Sequence, residues 1–160
     1  MGDLSEFSFV VRTFLHLYRW RRIDPVPWAP LTKPLSEACL ALVSTAGLVL
    51  PDQAPFEHDV KGGDTSFRTI PDDADLGTLI DCHRSATYDH SGIHDDPNLA
   101  LPIDRLRELA DAGVVGSANR RHLSFMGSIT APGRLVAKSA PEAAALLAGD
   151  GVDAALLVPV

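Results

Sequence analysis

The sequence predicts an α/β fold, a layered, parallel, doubly wound (Rossmann-like) sheet with one added helix at its N-terminus. Short apolar runs without polar alternation, as over 38–44 and 153–158, are typical of strands buried on both faces. Segments with helical periodicity lie between such runs, and glycine turns close them. This order of helix, glycine turn and apolar strand is typical of βαβ units, whose helices cover both faces of a parallel sheet.

Length and composition agree with one globular unit. The chain has 160 residues, of which 46% are hydrophobic and 22% charged, so it can bury a core. These values exclude the collagen, coiled-coil and low-complexity classes and argue against disorder. The formal net charge of −7 opposes binding to a phosphate backbone, so we expect no nucleic-acid partner.

Residues 1–22 form the first predicted part, an amphipathic helix. Apolar residues recur at helical spacing, and Asp3 is a candidate N-cap with Glu6 three positions later. The basic run 19–22 suits the end of a helix where cations are favoured by the dipole. Two interpretations remain open, because such a helix either packs on its own protein or lies on a membrane surface or a partner.

Residues 23–37 form a proline-rich connector that can be neither a helix nor a central strand. The predicted α/β domain covers 38–160 and starts with the buried strand over 38–44. The polar segment 51–64 is then a surface excursion, and 67–70 gives a weak strand signal.

The rest of the domain alternates predicted strands and helices. Residues 76–82 fit a strand or a helix, and Gly77 favours the strand. A capping box over 139–142 opens the last helix. In chain order the predicted elements are a second core strand over 76–82, a helix from Pro102 that stops before Gly113, a strand over 122–125, a helix over 143–148 and a final buried strand over 153–158.

Polar residues at the carboxyl ends of the strands are the candidate substrate pocket. Ligands bind beyond this edge of a parallel sheet, because the loops converge there and helix N-termini point their free N–H groups at it. For His122 two interpretations remain, a hydrogen-bonded core residue or a proton donor or acceptor. The candidates are Ser44, Thr45, His83, Asp89, His122, Met126, Gly127 and Ser128.

Histidines and acidic residues are concentrated in the segment 82–96. His90 and His94 are four residues apart, as metal ligands on a helix would be, but Ser91, Gly92 and Pro97 oppose one regular helix through this segment. We therefore expect a solvated or substrate-binding loop and no metal. Cys39 and Cys82 are too few for a disulfide scaffold, which favours a reduced, cytoplasmic protein. No apolar run approaches the ~18 residues of a membrane-spanning helix.

Several stretches of the sequence carry a family resemblance. They are Phe67 to Pro71, Asn98 to Leu109, His122 to Gly127, Ala140 to Glu142 and Asp150 to Ala154. Together they resemble the selenoprotein B family of glycine, sarcosine, betaine and D-proline reductases, most closely its proline-reductase-like branch. The likeness spans most of 31–160, and its most specific blocks are Pro-Ile-Asp-Arg-Leu-Arg-Glu-Leu at 102–109 and Ser-Phe-Met-Gly at 124–127.

The resemblance implies an oxidoreductase that cleaves a C–N bond at the α-carbon of an amino acid derivative. In the formal reaction direction a disulfide is the acceptor. A selenocysteine or cysteine beside a second thiol would be needed, because the anion is the nucleophile and a second thiol resolves the intermediate. The resemblance also implies a small amino-acid-derived substrate, partner reductase subunits and an oligomer.

In this family the redox motif is expected directly after the strand that corresponds to Ala154 to Val158. The nucleophile would then follow Val160, so we expect a chain truncated before the motif, inactive alone and without a cofactor of its own. A full-length form would contain selenocysteine, and our hypothesis is that the reading frame ends at a UGA codon read as selenocysteine. The alternative function is a non-catalytic α/β module that binds a small molecule or a partner.

Overall fold

The computed structural model describes residues 7–18, 22–85, 88 and 90–160. The chain divides into two compact units, Met1–Pro30 and Leu31–Val160. In the first unit, helix α1 spans Phe9–Leu17, and its N-cap is Ser8, whose hydroxyl accepts a hydrogen bond from the N–H of Val11. The predicted helix is therefore confirmed over a shorter span. The predicted N-cap Asp3 and the basic residues 19–21 lie outside the described residues.

The main sheet of the second unit is built around β1 (Cys39–Ser44). β7 (Ala154–Val158) runs parallel to β1 on one side, and β5 (Ser117–Ala118) and β6 (Arg121–Phe125) run parallel to it on the other. β3 (Phe67–Pro71) pairs with the far side of β6. The predicted α/β class is confirmed.

One strand corrects the prediction of a purely parallel sheet. β3 runs antiparallel to β6, with Phe67 opposite Phe125 and Pro71 opposite Arg121. The N-terminal end of β3 therefore lies at the carboxyl edge of β6. The sheet is mixed, with β3 as its antiparallel member.

β5 and β6 are two parts of one strand interrupted by a bulge. Leu40 lies opposite Ala118 and Val43 opposite Leu123, so five residue steps on one strand face three on β1. Such a bulge takes backbone groups out of the regular ladder. As a result, the N–H of Leu42 donates to the Nδ1 atom of His122 instead of a carbonyl oxygen.

The predicted second core strand over 76–82 is wrong. The chain forms a 3₁₀ turn over Leu76–Thr78, where the Asp75 side chain accepts a hydrogen bond from the N–H of Gly77. Within this range only Ile80–Asp81 forms a strand (β4), and it pairs antiparallel with β2 (Leu48–Val49) outside the main sheet. Side-chain capping of the turn is the local preference that overrides the strand pattern.

Among the described residues, three α-helices complete the second unit. They are α2 (His90–Asp95), α3 (Ile103–Asp111) and α4 (Ala140–Gly149). α3 starts directly after Pro102 and ends before Gly113, which confirms its prediction. The predicted capping box is wrong, because Ser139 lies in a π-helical turn over Leu135–Ser139 with helical dihedral angles and makes no cap hydrogen bond.

The core lies on both faces of β1. Leu42 packs in a cluster with Ile103 of α3, whereas the adjacent residue Ala41 packs with Leu147 of α4. The prediction that β1 is buried on both faces is confirmed. The predicted final strand is present as β7, but the prediction that it is buried is wrong. Leu157 of β7 is 68% exposed and, within the described residues, β7 pairs with β1 alone.

Candidate functional site at the carboxyl edge of the sheet

The three central parallel strands end side by side. Ser44 is the last residue of β1, and Met126 directly follows β6. Both residues are 0% exposed. The Ser44 hydroxyl accepts a hydrogen bond from the N–H of Ala46 at 3.1 Å, and Met126 packs in an apolar cluster with Phe56. These two candidates are therefore buried beneath the edge and do not face solvent.

Thr45, Gly127 and Val160 meet at this edge. The N–H of Val160 donates to Thr45 Oγ1 at 2.9 Å, and the N–H of Thr45 donates to the carbonyl oxygen of Val158 at 3.1 Å. Gly127 has a φ of +61°, and a Cβ there would lie 2.5 Å from the Thr45 carbonyl oxygen. Only glycine allows this approach. The exposed Ser128 follows with a φ of +42°, which is uncommon for a residue with a side chain.

His83 lies against the same glycine. Its side chain is packed so that the residue is 8% exposed, and its Nε2 atom is 3.3 Å from where a Gly127 Cβ would lie. Its Nδ1 atom accepts a hydrogen bond from the N–H of Ser85 at 3.3 Å, so in the neutral ring Nε2 carries the hydrogen. Within the described part of the chain this Nε2 has no hydrogen-bond partner.

Burial lowers the pKa of His83 below 6.5, and nearby His90 and His58 lower it further against the opposing effect of Asp81. His83 is therefore a neutral hydrogen-bond donor at neutral pH. A buried donor that lacks a protein partner is a common feature of binding sites.

Three more histidines surround Asp81 and Cys82. His90 and His94 both approach Asp81 Oδ2 from α2, while His58 Nε2 is 3.0 Å from the carbonyl oxygen of Cys82. The expectation that no regular helix carries both His90 and His94 is wrong, since α2 contains them. Among the residues the structure describes, no group of three histidine, cysteine or acidic side chains is arranged to hold a metal. The candidate Asp89 lies outside the described residues.

His122 belongs to the core and lies apart from the edge. It is 0% exposed, its Nδ1 accepts from Leu42 N–H at 3.1 Å, and its Nε2 donates to Asp72 Oδ1 at 3.0 Å. Of the interpretations left open by the sequence, the geometry matches a hydrogen-bonded core histidine. It stabilises the bulged strand and is not grouped with His83.

A cavity of about 390 Å³ that the sequence does not predict lies at the N-terminal end of β3, level with the carboxyl end of β6. The segment 54–68 forms one wall, and the residues that lead into α4 form the other. Lys138 and Glu142 both line it, four positions apart. That spacing places both side chains on one wall, but the other wall comes from 54–68, far away in sequence.

Comparison with known proteins identifies the family. Residues 10–160 match the family model described as glycine/sarcosine/betaine reductase selenoprotein B (GRDB). The chain belongs to this family. The predicted resemblance is thus confirmed, including its proline-reductase-like branch, to which a similar curated relative belongs by name.

That relative is D-proline reductase subunit gamma of Acetoanaerobium sticklandii, 35% identical over 84% of this chain and 54% of its own length. Glycine reductase complex component B subunit gamma of Carboxydothermus hydrogenoformans is 32% identical over 84% of this chain and 31% of its own length. Sarcosine reductase complex component B subunit beta of Peptoclostridium acidaminophilum is 30% identical over 84% of this chain and 30% of its own length.

The GRDB-family chain spans between about a third and about half of the length of these relatives. No solved structure matches it significantly. In the parts of the chain that the structure describes, every helix is too short or too polar to cross a membrane.

Proposed function

We propose that this chain forms the substrate-facing part of a reductase that cleaves the C–N bond at the α-carbon of an amino acid derivative. One observation supports the assignment most strongly. The orphan Nε2–H of His83 lies against Gly127, beside the contact between Thr45 and Val160. A segment that continued from Val160 would start at this edge, which is where parallel sheets bind their ligands.

The proposed reaction has two steps, in which the redox pair loses two electrons. A selenolate or thiolate attacks the α-carbon, the C–N bond breaks, and the amine leaves with the bonding electron pair and a proton. A second thiolate then attacks the selenium or sulfur, which releases the reduced carbon to take up a proton. The redox pair loses two electrons and becomes a selenenyl sulfide or a disulfide. In the formal reaction direction, written from the cleaved product to the amino acid derivative, this disulfide is the acceptor.

The redox pair is supplied from outside the 160 residues in this proposal. Cys39 lies at the start of β1, at the end opposite to the edge, and Cys82 packs against the apolar cluster of Val49 and Met126. Neither is next to a second thiol. His83 would donate a hydrogen bond to the substrate, and partner reductase subunits would complete the enzyme.

Dithiol-dependent turnover of D-proline tests the proposal. The 160-residue chain alone should be inactive, whereas a chain extended through the redox pair and assembled with its partner subunits should open the ring. In the extended chain, His83→Gln should lower kcat while a thermal melt shows the fold intact. His94→Gln is the matched control, because His94 is 67% exposed.

Turnover by the 160-residue chain alone would contradict the absence of the nucleophile. Equal rates for parent and His83→Gln would contradict the role of His83. The coding sequence after codon 160 tests the selenocysteine part of the proposal, for which an in-frame UGA followed by coding sequence is expected. An immediate stop of another kind would overturn that part.

A further inference from the structure

The cavity beside the sheet edge has walls with their own stabilising contacts. Asp64, 9% exposed, accepts hydrogen bonds from the N–H groups of Glu57 and Ser66 and from the Ser66 hydroxyl. Arg68 donates to the carbonyl oxygens of residues 54 and 55. These contacts hold the 54–68 segment in place. The charges of Asp64 and Arg68 are therefore used by the protein itself.

Three other charged groups that line the cavity are not used in this way. Lys138, Glu57 and Glu142 make no ion pair with any residue in the described ranges. Lys138 and Glu142 share one helical face, yet their charged groups do not come within ion-pair distance of each other. A ligand that carries both charges could contact both.

A buried hydroxyl supports the presence of a ligand. Ser139 also lines the cavity and is 5% exposed, and its Oγ has no hydrogen-bond partner among the described residues. Buried polar atoms in folded proteins are nearly always paired, so an orphan indicates a missing partner. Ser139 follows Lys138 directly, so the orphan hydroxyl and the unpaired cation belong to the same wall.

We propose that this cavity binds a small zwitterionic α-amino acid, whose carboxylate lies at Lys138 and whose ammonium group lies between Glu57 and Glu142. The location of the site is argued from the cavity alone, but the choice of an amino acid as its ligand rests on the proposed function. The site lies at the N-terminal end of β3, which is level with the carboxyl end of β6.

The charge balance of the walls favours a zwitterion over an ion of one sign. A phosphate or a dicarboxylate would face three carboxylates, from Glu57, Asp64 and Glu142. A polyamine would face three cations, from Arg68, Arg134 and Lys138. A zwitterion contacts both sets at once. The volume of about 390 Å³ suits a molecule of a few heavy atoms with its bound water.

Titration of the ¹⁵N-labelled 160-residue chain with D-proline tests the site. D-proline should shift amide resonances in 54–66 and 134–142, whereas acetate and pyrrolidinium, which each carry one of its charges, should not at the same millimolar concentration. Lys138→Met and Glu142→Gln should each weaken binding about tenfold, the effect of one lost contact to a charged group.

Two controls match these variants. Lys33→Met removes a lysine that pairs with Asp153, and Glu108→Gln removes a surface carboxylate that pairs with Arg105, so both should bind D-proline like the parent. Ser139→Ala should leave the melting temperature unchanged or raised, because it removes an orphan hydroxyl, yet still weaken binding.

Equal binding by the parent, Lys138→Met and Glu142→Gln would overturn the proposal, as would equal shifts from acetate. Shifts confined to residues around His83 would overturn it too. The titration involves no turnover, so its failure is distinct from failure of the reductase assignment. Zwitterion binding that depends on Lys138, combined with no turnover by the extended chain assembled with its partner subunits, would support the cavity and overturn the proposed function.

Discussion

Replacing His122 with phenylalanine removes both hydrogen bonds of the buried imidazole while a ring still fills its place. The N–H of Leu42, a residue 1% exposed, would lose its acceptor at 3.1 Å. The carboxylate of Asp72 would lose the Nε2–H donor at 3.0 Å. Because the bulge between β5 and β6 removes the usual carbonyl partner, no other described group replaces the imidazole for Leu42.

These contacts set the expected loss of stability. A buried N–H left without an acceptor costs about 1–3 kcal/mol. The Asp72 side chain is 28% exposed and also lies near Arg107, so water and that guanidinium replace much of its lost bond, which contributes about 1 kcal/mol or less. The free energy of unfolding should therefore fall by about 1–4 kcal/mol at about pH 8, with about 2 kcal/mol as the central value.

The difference should depend on pH. Burial lowers the pKa of His122 below its ordinary value of 6.5, although the bond to Asp72 opposes the effect. Below pH 6.5 the unfolded chain takes up a proton that the folded chain does not, so this histidine lowers parent stability as pH falls, by up to about 1.4 kcal/mol per pH unit. The phenylalanine variant lacks this loss, and its deficit should narrow in acid.

Urea unfolding followed by circular dichroism measures both effects. With a slope of about 2 kcal/mol/M, the midpoint should fall by about 1 M at pH 8 and by less at pH 5.5. His94→Phe is the control, since His94 is 67% exposed and should change stability little. A deficit that is absent at pH 8, or that is the same at both pH values, would refute the role of His122.

Three further changes have expected outcomes. Gly127→Ala should destabilise the protein by about 2 kcal/mol or more, because Gly127 has a positive φ and its Cβ would lie 2.5 Å from the Thr45 carbonyl oxygen. Gly133→Ala is the control and should not destabilise it, since nothing lies within 4 Å of a Cβ at that position. Equal thermal melts of the two variants would contradict this. The guanidinium of Arg121 holds the pKa of Asp150 well below its ordinary value, so Asp150→Asn should lower stability above pH 4. This deficit should disappear as the pH falls below the pKa of an ordinary aspartate. A deficit that stays constant in thermal melts at acid pH would contradict the role of the ion pair. We expect the exposed strand β7 to promote self-association, so Leu157→Lys, at a position 68% exposed, should keep the melting temperature and lower the mass observed in sedimentation velocity. An unchanged mass distribution would contradict this expectation.

The elements that the sequence predicts well are those with local signals. The run 39–43 has no polar alternation, and β1 is indeed packed on both faces. Pro102 and Gly113 mark the ends of α3 because one fixes φ and the other takes a positive φ. The family resemblance was also predictable, since its blocks combine such helices and strands.

The errors concern properties set by distant residues. Residues 76–82 carry strand-forming side chains, but whether they join the main sheet depends on the pairing of β2 with β4. β7 is as apolar as β1, yet its exposure follows from having one neighbouring strand among the described residues. From the sequence, His122 is a candidate site residue. The structure shows that the bulge leaves the N–H of Leu42 without a carbonyl partner and that His122 accepts its hydrogen bond.

The sequence predicts only some residues of the candidate edge, because the others are brought there by contacts between residues distant in sequence. The rule for parallel sheets selects Thr45 and Gly127, which do meet. His83 was chosen as the end of a core strand that does not exist, and it reaches the edge through β4 and the turn that follows it. The cavity beside Lys138 depends on a wall from 54–68, far away in sequence, that no local pattern connects to α4.

The pairing of β1 with β7 has a consequence for synthesis on the ribosome. β1 receives its partner strand from residues more than a hundred positions later, and the N–H of Cys39 is held by Asp153, 114 positions away. While the chain is being made, one side of the central strand therefore stays unpaired until nearly all of the unit has emerged. Contacts of this separation close late, so the nascent chain would present an apolar strand edge to chaperones for most of its translation.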